Sequence, residues 1–332
     1  MTKQFAVGIT GIGSYLPDKI FTNSDIEKMV ETSDEWIVTR TGIKQRRVVD
    51  EKTAASDLAT KAAEKAIEDA GMDAKEIDLI IVATATPDMA FPSTACIVQK
   101  NIAAVNAAAL DISAACTGFV YALTVGEQFI KTGFYKNALI IGAETMSKVI
   151  DWQDRNTCVL FGDGAGAVVL EKTEEGMGIL SSYLGADGES GDCLTIPAGG
   201  SRLPATYETV DNRLHCIKMD GSEVFKFAVR VMASAALKAL EKSNINLEEV
   251  DFLIPHQANI RIIEAAAKRL KLPMEKVYVN LDQYGNMSAA SVPVALDEAV
   301  KKGLIKKGDT VVMVAFGGGL TWGSTVVKWC KE

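Results

Sequence analysis

The sequence is poor in several residue types, and each shortage excludes a class of protein. Only two of its 332 residues are histidine, and its six cysteines, at positions 96, 116, 158, 193, 216 and 330, form no C-x-x-C pair. Neither a zinc site nor a disulfide framework is therefore indicated. No apolar run approaches the ~20 residues that cross a bilayer, and the strand-like pattern from Met1 to Gly8 predicts no secretory signal. These features predict a reduced, cytoplasmic protein.

Basic residues are also in the minority. The chain has 35 Lys and Arg against 43 Asp and Glu, a net charge of −8. This balance argues against nonspecific nucleic-acid binding over the whole surface, although it leaves room for a local basic patch. The 48% hydrophobic content is ample for a large buried core.

Two stretches of the chain resemble each other. The segment 62–81 (AAEKAIEDAGMDAKEIDLII) matches 235–254 (AALKALEKSNINLEEVDFLI) without a gap, with 8 of 20 positions identical. Each copy is typical of an amphipathic helix, a turn, a short acidic segment and an apolar strand. A weaker match pairs 119–130 with 289–300 at a slightly shorter offset, and this offset places Asn286 opposite Cys116.

The repeat predicts a duplicated α/β fold. Apolar strands that alternate with helices belong to sheets covered on both faces. We expect two halves, residues 1–174 and 175–332, each of βαβαβαββ order, packed as one five-layer α/β/α/β/α body. The halves should meet near the polar segment Glu171–Met177. The stretch 185–220 fits neither copy and is interpreted as an insertion over the mouth of the active site.

Cys116 is the predicted nucleophile. An apolar strand ends near Leu110, small residues make a tight turn, and a helix pattern begins at Thr117. A thiolate is the reactive form of cysteine, and a helix amino terminus lowers the thiol pKa. The alternative is an inert buried cysteine, which is the interpretation given to the other five.

His256 and Asn286 are the predicted partners of the thiol. His256 follows the apolar strand 252–255, at the strand end where ligand sites of α/β proteins gather, and its counterpart in the first copy is Ala83. Asn286 follows Gly285, so it could equally be a turn residue. A structural histidine is the corresponding alternative for His256. Together the three side chains point to thioester chemistry.

At these residues the sequence resembles the 3-oxoacyl-[acyl-carrier-protein] synthase III family of the thiolase-like superfamily. The resemblance covers essentially the whole chain, and it rests on the segments GSYLP (13–17), SDEWI (33–37), RTGI (40–43), ACTG (115–118), FGDGAG (161–166), PHQAN (255–259), GN (285–286) and FGGG (316–319). In this superfamily Cys-His-Cys is typical of thiolases and Cys-His-His of elongating synthases. Asn286 as third member fits the initiating synthases and the enzymes similar to chalcone synthase.

The resemblance implies a decarboxylative Claisen condensation. Cys116 would take the acyl group of an acyl-CoA primer and release CoA. His256 and Asn286 would donate hydrogen bonds to the thioester oxygen of malonyl-acyl-carrier protein as carbon dioxide leaves. The backbone N–H groups of Cys116 and Gly318 would form the oxyanion hole, and Phe316 would lie against the malonyl carboxylate. No cofactor or metal is implied, since acyl-CoA is a substrate.

The resemblance also implies where substrates and partners bind. Trp36 and Arg155 would sandwich the adenine of CoA, Arg40 would contact a phosphate, and Asn259 would contact the pantetheine. Phe91 would line the acyl pocket across the interface of a homodimer.

Carrier-protein docking is predicted from charge. Carrier proteins are acidic, so this acidic chain needs a local basic patch, although a run of charge is often only a solvated helix face. The predicted docking residues are Gln257, Ala258, Asn259, Ile260, Arg261, Lys226, Lys268 and Arg269.

Other functions remain open at this stage. The Gly8–Gly13 run has the wrong spacing for a dinucleotide site, and 162–166 lacks the Lys-Ser/Thr of a phosphate loop. The alternatives are a polyketide starter synthase, a cysteine hydrolase or acyltransferase, and a non-catalytic scaffold. The sequence does not determine the primer, because one methylene changes discrimination by only ~1–3 kcal/mol.

Overall fold

Two large β-sheets, one in each half of the chain, form the centre of the computed structural model, which describes residues 4–332. The strands of the first half are β1 (Val7–Tyr15), β2 (Ile20–Thr22), β3 (Gln45–Arg47), β4 (Leu79–Ala83), β5 (Ala108–Ile112), β6 (Asn137–Thr145) and β7 (Asp163–Lys172). Its helices are α1 (Asn23–Glu27), α2 (Asp34–Thr41), α3 (Ala55–Ala70), α4 (Thr94–Asn101), α5 (Gly118–Lys131) and α6 (Arg155–Cys158).

The second half repeats the pattern with a longer insertion. Its strands are β8 (Gly178–Ala186), β9 (Leu194–Thr195), β10 (Lys218–Met219), β11 (Phe252–Pro255), β12 (Thr310–Gly317) and β13 (Thr321–Lys328). Its helices are α7 (Tyr207–Asp211), α8 (Gly221–Ser243), α9 (Ile260–Arg269), α10 (Leu281–Tyr284) and α11 (Ser291–Lys301). Two small sheets, β2–β3 and β9–β10, have two strands each.

The two large sheets share one topology. The first has the order β1-β7-β6-β4-β5, with β4 parallel to both β5 and β6 and with β7 antiparallel to its neighbours. The second has the order β8-β13-β12-β11, with β11 parallel to β12. The counterpart of β5 is reduced to one parallel bridge between Leu253 and Val277. The predicted strand and helix order is thus found in the first half and is one strand shorter in the second.

The layers follow from the hydrophobic faces. One core lies between α3, α4 and the outer face of the first sheet, and another lies between α8, α9 and the outer face of the second. The central core joins the inner faces of both sheets through α5 and α11. Helices that are apolar on more than one side, as α5 is, belong in such a middle layer. The predicted five-layer α/β/α/β/α body is confirmed.

The internal register corrects one part of the sequence analysis. Ala115 and Ser288 both adopt left-handed backbone conformations, with φ of +45° and +46°. Each begins a single 3₁₀ turn that leads directly into α5 or α11. The offset that takes segment 62–81 to 235–254 therefore holds at the active-site turn, and Cys116 lies opposite Ala289. The prediction that it lies opposite Asn286 is wrong, because α11 is three residues shorter than α5 and the shift arises inside the helix.

The connecting segments complete the description. Strand β7 ends at Lys172 and β8 begins at Gly178. The strand pattern that the sequence suggested from residue 1 begins as a strand at Val7, and residues 1–3 lie outside the described part of the chain. The stretch 185–220 contains the β9–β10 pair and α7, and it folds over the carboxyl ends of the strands beside Cys116. In residues 4–332 no helix combines the length and apolarity of a membrane span.

Candidate active site

Cys116 lies in the middle of the 3₁₀ turn Ala115–Thr117, at the junction between the two halves. The turn packs against β12 of the other half, and a Cβ at Gly317 would lie only 2.7 Å from the Cys116 backbone nitrogen. No side chain except that of glycine fits there, because a backbone neighbour cannot move aside as a flexible side chain can. The bare backbone at 317 therefore keeps the Cys116 N–H accessible.

The thiol does not have the lowered pKa that the sequence analysis expects. Cys116 is 7% exposed, and burial raises the pKa of its thiol to about 12. Desolvation disfavours the charged form, and here it outweighs what the following helix offers. The resting sulfur is a protonated thiol, so its proton must be removed during the reaction.

His256 is neutral at physiological pH. It directly follows β11, where its N–H donates to the Val314 carbonyl at 2.8 Å. Burial lowers the pKa of His256 to about 3. Nδ1 is buried without a partner, so the tautomer with its proton on Nε2 leaves only an acceptor unpaired, and an orphaned N–H is the rarer case. In this tautomer the Nε2–H group of His256 can donate a hydrogen bond into the cavity.

The orientation of Asn286 is set by its neighbours. Its side-chain oxygen accepts a hydrogen bond from the Ser288 N–H at 2.8 Å. Its backbone is tied to Leu160 and Gly162, at 2.9 and 3.0 Å. With the oxygen engaged, the amide nitrogen is left to donate, as a hydrogen-bond donor to an oxyanion must.

Two cavities meet at Cys116. One, of about 380 Å³, is mostly apolar, and its lining includes Cys116, Met146, Phe161, Leu194, Ile196, Ile217, Ser288 and Gly318. The other, of about 150 Å³, is lined by Cys116 together with His256, Asn286, Phe316 and Gly317 among others. The Phe316 ring contacts the His256 ring edge-on at 5.4 Å between centroids. The structure thus places His256, Asn286, Phe316 and Gly318 around the cavities that meet at the Cys116 thiol.

A larger polar cleft of about 780 Å³ adjoins the smaller cavity. Trp36, Arg40 and Asn259 line it, and Leu160, Met219, Gly221 and Asn259 border both spaces. The Arg155 guanidinium lies 4.7 Å from the Trp36 ring and donates to the Glu31 carbonyl. This spacing is that of a direct stack, so a base can enter between the two only if Arg155 moves outward.

Asn259 has structural tasks that the sequence analysis did not anticipate. Its side-chain oxygen caps α9 by accepting from the Arg261 N–H at 2.9 Å, and its amide nitrogen donates to the Arg40 carbonyl at 2.9 Å. Both polar atoms are therefore occupied. The side chain ties the end of α2 to the start of α9 at the junction of the cleft and the cavity.

Two of the predicted carrier-docking residues are mostly buried. Gln257 is fully buried and bonds to the Pro255 and Tyr278 carbonyls. Ala258 is 9% exposed. The prediction for Gln257 is wrong, because its fully buried side chain cannot meet a partner protein, whereas Ala258 borders the smaller cavity beside His256.

The charged members of the predicted docking set are at the surface. They are Lys226, Arg261, Lys268 and Arg269, and Ile260 beside them is partly exposed. Arg230 of α8 was missed by the sequence analysis, yet it lines the same surface hollow as Lys226 and Arg269. Helices α8 and α9 pack together, so this basic surface combines two helices that are distant in sequence. The carboxylates of Glu189, Asp192 and Glu223 lie among its cations, and Glu223 pairs with Lys226 at 2.7 Å.

Phe91 does not line the cavities of its own chain. Its side chain is 85% exposed, on the loop between β4 and α4. For a large apolar side chain this is an unusual exposure.

Three further residues at the site escaped the sequence analysis. No role was predicted for Gly317, Ser288 or Glu144. Ser288 borders the larger cavity, and Glu144 is a fully buried carboxyl near the end of β6. A carboxylate at the end of an otherwise apolar strand was the available signal for Glu144. Within residues 4–332 no group of His, Cys, Asp and Glu side chains is arranged to hold a metal ion.

A duplicated five-layer body with cysteine, histidine and asparagine at its central junction defines a condensing enzyme of the thiolase-like fold. Two family descriptions match the chain, "3-Oxoacyl-[acyl-carrier-protein (ACP)] synthase III" at residues 110–188 and its C-terminal counterpart at 240–329. The beta-ketoacyl-[acyl-carrier-protein] synthase III of Caldanaerobacter subterraneus subsp. tengcongensis is 64% identical over 331 residues, 100% of both chains.

Solved structures agree with this match. The 3-oxoacyl-[acyl-carrier-protein] synthase III of Aquifex aeolicus is 50% identical with a TM-score of 0.90, covering 97% of this chain and 100% of that one. The priming beta-ketosynthase of the R1128 polyketide pathway is 32% identical with a TM-score of 0.92, covering 99% and 98%. The chain belongs to the beta-ketoacyl-[acyl-carrier-protein] synthase III family. It is an acyltransferase, an initiating condensing enzyme of type II fatty-acid synthesis.

Proposed function

We propose that this chain condenses a short acyl-CoA primer with malonyl-acyl-carrier protein, releasing CoA and carbon dioxide and forming a 3-oxoacyl-carrier product. One observation carries the proposal: Cys116 lines both the apolar cavity and the cavity that holds His256, Asn286 and Phe316. An acyl group on the sulfur can occupy the first space while a malonyl thioester occupies the second.

In the first half-reaction Cys116 attacks the acyl-CoA carbonyl. CoA lies in the polar cleft, where Arg40 and Lys218 supply positive charge for its phosphates. Arg155 swings away from Trp36 to admit the adenine between them. The backbone N–H groups of Cys116 and Gly318 receive the developing oxyanion, and the Cys116 donor is accessible because residue 317 has no side chain.

In the second half-reaction malonyl-carrier protein replaces CoA. Nε2–H of His256 and the amide nitrogen of Asn286 donate to the malonyl thioester oxygen, which becomes negative as carbon dioxide leaves. A neutral histidine suits this task, because it donates without having to lose a charge. Phe316 offers the carboxylate an apolar neighbour that destabilises the charged ground state. The carbanion then attacks the acyl-cysteine, so the mechanism uses side chains and backbone alone.

The larger cavity selects the primer. At about 380 Å³ with aliphatic and aromatic walls, it fits acetyl and other short or branched acyl groups. Differences of one methylene give discrimination of only ~1–3 kcal/mol. Met146, Leu194 and Ile217 are flexible enough to widen or narrow the space, so we expect graded selectivity rather than strict exclusion.

The acidic carrier protein docks on the basic surface of α8 and α9. Arg261 lies at the first turn of α9, next to Asn259 at the mouth of the route to Cys116. Arg230 of α8 and Arg269 at the end of α9 extend the positive charge, whereas Lys226 is paired with Glu223. Complementary charge of this kind raises the association rate and sets orientation.

We also propose a homodimer that works in the cytoplasm. Strand β5 is an edge strand whose Leu110 is 36% exposed, and Phe91 projects from the adjacent loop. Exposed strand edges are normally covered. Pairing two β5 edges would cover both and bring each Phe91 toward the partner's acyl cavity. The reactive thiol and the CoA substrate suit a reducing compartment.

The decisive experiment separates the two half-reactions. With Cys116→Ala, malonyl-carrier protein should still release carbon dioxide, since decarboxylation uses His256 and Asn286 and not the thiol. Wild-type protein should form a 3-oxoacyl-carrier product from a panel of acyl-CoA primers. No carbon dioxide release by the variant, together with conversion of acyl-CoA to free acid by wild type, would identify a hydrolase instead.

The second candidate is the priming step of a polyketide pathway. It rests on the 32% identity to the R1128 priming synthase over nearly the whole chain, which is lower than the 64% and 50% identity to the synthase III relatives described above. The chemistry is the same, so the carrier protein distinguishes the two. A higher kcat/KM with a polyketide carrier than with a fatty-acid carrier would favour this candidate.

A further inference from the structure

Glu144 is a buried carboxylate beside the nucleophile to which the proposed mechanism assigns no task. It is 0% exposed. The Thr86 hydroxyl donates to it at 2.7 Å, the Ala85 N–H at 3.1 Å and the Thr84 hydroxyl at 3.3 Å. Within residues 4–332 no Lys or Arg forms an ion pair with it. An unpaired buried carboxylate is costly and calls for a function.

Ser288 lies between this carboxylate and the thiol. It lines the same cavity as Cys116, and the N–H of the next residue, Ala289, donates to the Glu144 carboxylate at 3.4 Å. The side-chain hydrogen bonds to the carboxylate come from Thr86 and Thr84, and the Ser288 hydroxyl, although close to both groups, has no well-formed hydrogen bond to either in the described structure. Catalytic hydrogen bonds are often long in the free enzyme and tighten when substrate binds. A hydroxyl can accept a proton from one side while it donates its own to the other.

The internal symmetry explains how the carboxylate came to lie there. The offset that pairs Cys116 with Ala289 also pairs Glu144 with Gly317. Gly317 leaves open the space in front of the Cys116 N–H, whereas Glu144 fills the equivalent space and accepts from the Ala289 N–H at 3.4 Å. One half keeps an oxyanion site for substrate, and the other half has a carboxylate in the matching position.

We propose that Glu144, acting through the Ser288 hydroxyl, takes up and stores the proton that Cys116 loses when it is acylated. The inference rests on the proposed function, since it requires an acyl-Cys116 intermediate. Glu144 does not contact the substrate. It accepts the proton indirectly, through the hydroxyl group of Ser288.

The proton balance follows from this arrangement. As the sulfur forms its bond to the acyl carbon, the thiol proton passes to the Ser288 oxygen, and the Ser288 proton passes to Glu144. The departing CoA thiolate takes a proton from water. When condensation breaks the S–C bond, the Cys116 thiolate recovers its proton from Glu144 by the reverse path. The cycle consumes one proton, as conversion of the malonyl carboxylate to carbon dioxide requires.

Electrostatics favours such sharing. The charge of Glu144 opposes a thiolate at Cys116, and burial raises the pKa of both groups. The groups that face the carboxylate, Thr84, Thr86, Ser288 and the thiol, are all uncharged. When the proton moves from Cys116 to Glu144, the negative charge leaves the carboxylate as the sulfur loses its proton. The buried site therefore never holds two negative charges at once. Glu144 is then neutral when the malonyl carboxylate arrives.

The test measures acylation of Cys116 by acetyl-CoA, without carrier protein, by rapid quenching and mass spectrometry of the intact chain. Glu144→Gln keeps the shape and removes the proton acceptor, so acylation should slow by about 10²-fold. Ser288→Ala should slow it similarly, and the double variant should lose little more. Ala115 already adopts the same backbone conformation as Ser288, so alanine is tolerated there. Glu127→Gln, at another buried carboxyl, lies on α5 away from the thiol and should remain within about twofold of wild type.

The direction of the effect is diagnostic. If Glu144 only repelled the thiolate, its neutralisation would make the thiol more acidic and speed acylation. Wild-type or faster acylation by Glu144→Gln would therefore overturn the inference. Decarboxylation by Cys116→Ala should not be slowed by adding Glu144→Gln, and a parallel loss there would indicate a damaged fold and count against the inference. If wild type forms no acyl-Cys116, it is the proposed function that fails.

Discussion

Single residues at the site are oriented by hydrogen bonds from their neighbours. Asn286 can donate to an oxyanion because Ser288 already engages its oxygen. His256 can donate through Nε2 because Nδ1 faces a buried surface that offers no partner. In both cases the useful direction of the side chain depends on a backbone or cavity contact that residue type alone does not indicate.

The donor role of Asn286 gives the first residue-scale prediction. Asn286→Asp keeps the shape but places a carboxylate where an enolate must form, and it removes the N–H donor. Carbon dioxide release in the Cys116→Ala background should fall by about 10²–10³-fold, the usual loss for one oxyanion donor. Acylation of an otherwise wild-type Cys116 should change much less.

A matched control is available at Asn212, which is exposed at the end of α7. Asn212→Asp should leave both half-reactions at wild-type rates. If Asn286→Asp slowed acylation as strongly as decarboxylation, a general collapse of the turn would be the better explanation.

At the scale of elements, helix α9 packs in the second core through one face and carries the proposed docking residues on the other. Its buried face, including Ile262, Ile263 and Ala266, packs in the second core, while Arg261 and Lys268 lie on the exposed side. Asn259 at its start links it to α2. A partner that binds this helix is thereby held close to the opening that leads to Cys116.

Charge reversal on α9 tests carrier docking. Arg261→Glu with Lys268→Glu should raise the KM for malonyl-carrier protein by roughly tenfold while kcat and acyl-CoA transfer stay near wild type, because surface charge acts mainly on association. The difference should shrink at high salt, since exposed charges are screened. Steady-state kinetics at two ionic strengths provide the measurement.

The control carries the same change in net charge elsewhere. Lys100→Glu with Lys306→Glu alters exposed lysines on α4 and after α11, and it should not change the KM. Equal loss in both half-reactions for the α9 variant would contradict docking at this helix.

At the scale of the whole molecule, two copies of one fold form one site. The turn with Cys116 packs on β12, and the turn with Ser288 packs on β6, so each half closes the site of the other. In the proposed homodimer this sharing would extend further, with Phe91 of one chain completing the acyl cavity of its partner.

Phe91 provides a prediction at this scale. Phe91→Ala should shift the ratio of kcat/KM for butyryl-CoA over acetyl-CoA by about tenfold, the lower end of the range for removing apolar contacts. It should leave the fold of each subunit intact, since the side chain is 85% exposed in its own chain, while loss of the ring from the proposed interface should weaken dimerisation. Phe134→Ala, another exposed phenylalanine, should change neither property.

A mixed dimer decides which subunit supplies the ring. In a heterodimer of Phe91→Ala with Cys116→Ala, the one working cysteine faces the intact Phe91 of its partner. Wild-type selectivity is expected. Selectivity like that of the Phe91→Ala homodimer would show that the ring acts within its own chain.

Much of the fold was accessible from the sequence because repeats preserve helix and strand periodicity. One constant offset relates α3 to α8 and β4 to β11, as predicted. The register failed at the catalytic turn, where the shorter α11 shifted the match from Ala289 to Asn286. Gln257 was misjudged for a related reason: charge and proximity to His256 suggested a surface, whereas its amide satisfies buried carbonyls.

The layered α/β fold, the candidate nucleophile and the family could be inferred from the sequence alone, because periodicity and local motifs are properties of short segments. The folded structure sets which groups meet at the thiol and how each amide and ring is turned, and it buries the thiol, which raises the thiol pKa where a helix was expected to lower it. It also brought Glu144, from the first half of the chain, against the turn of the second half that carries Ser288. Desolvation and side-chain direction depend on what surrounds a group in space, and residues from both halves supply those surroundings.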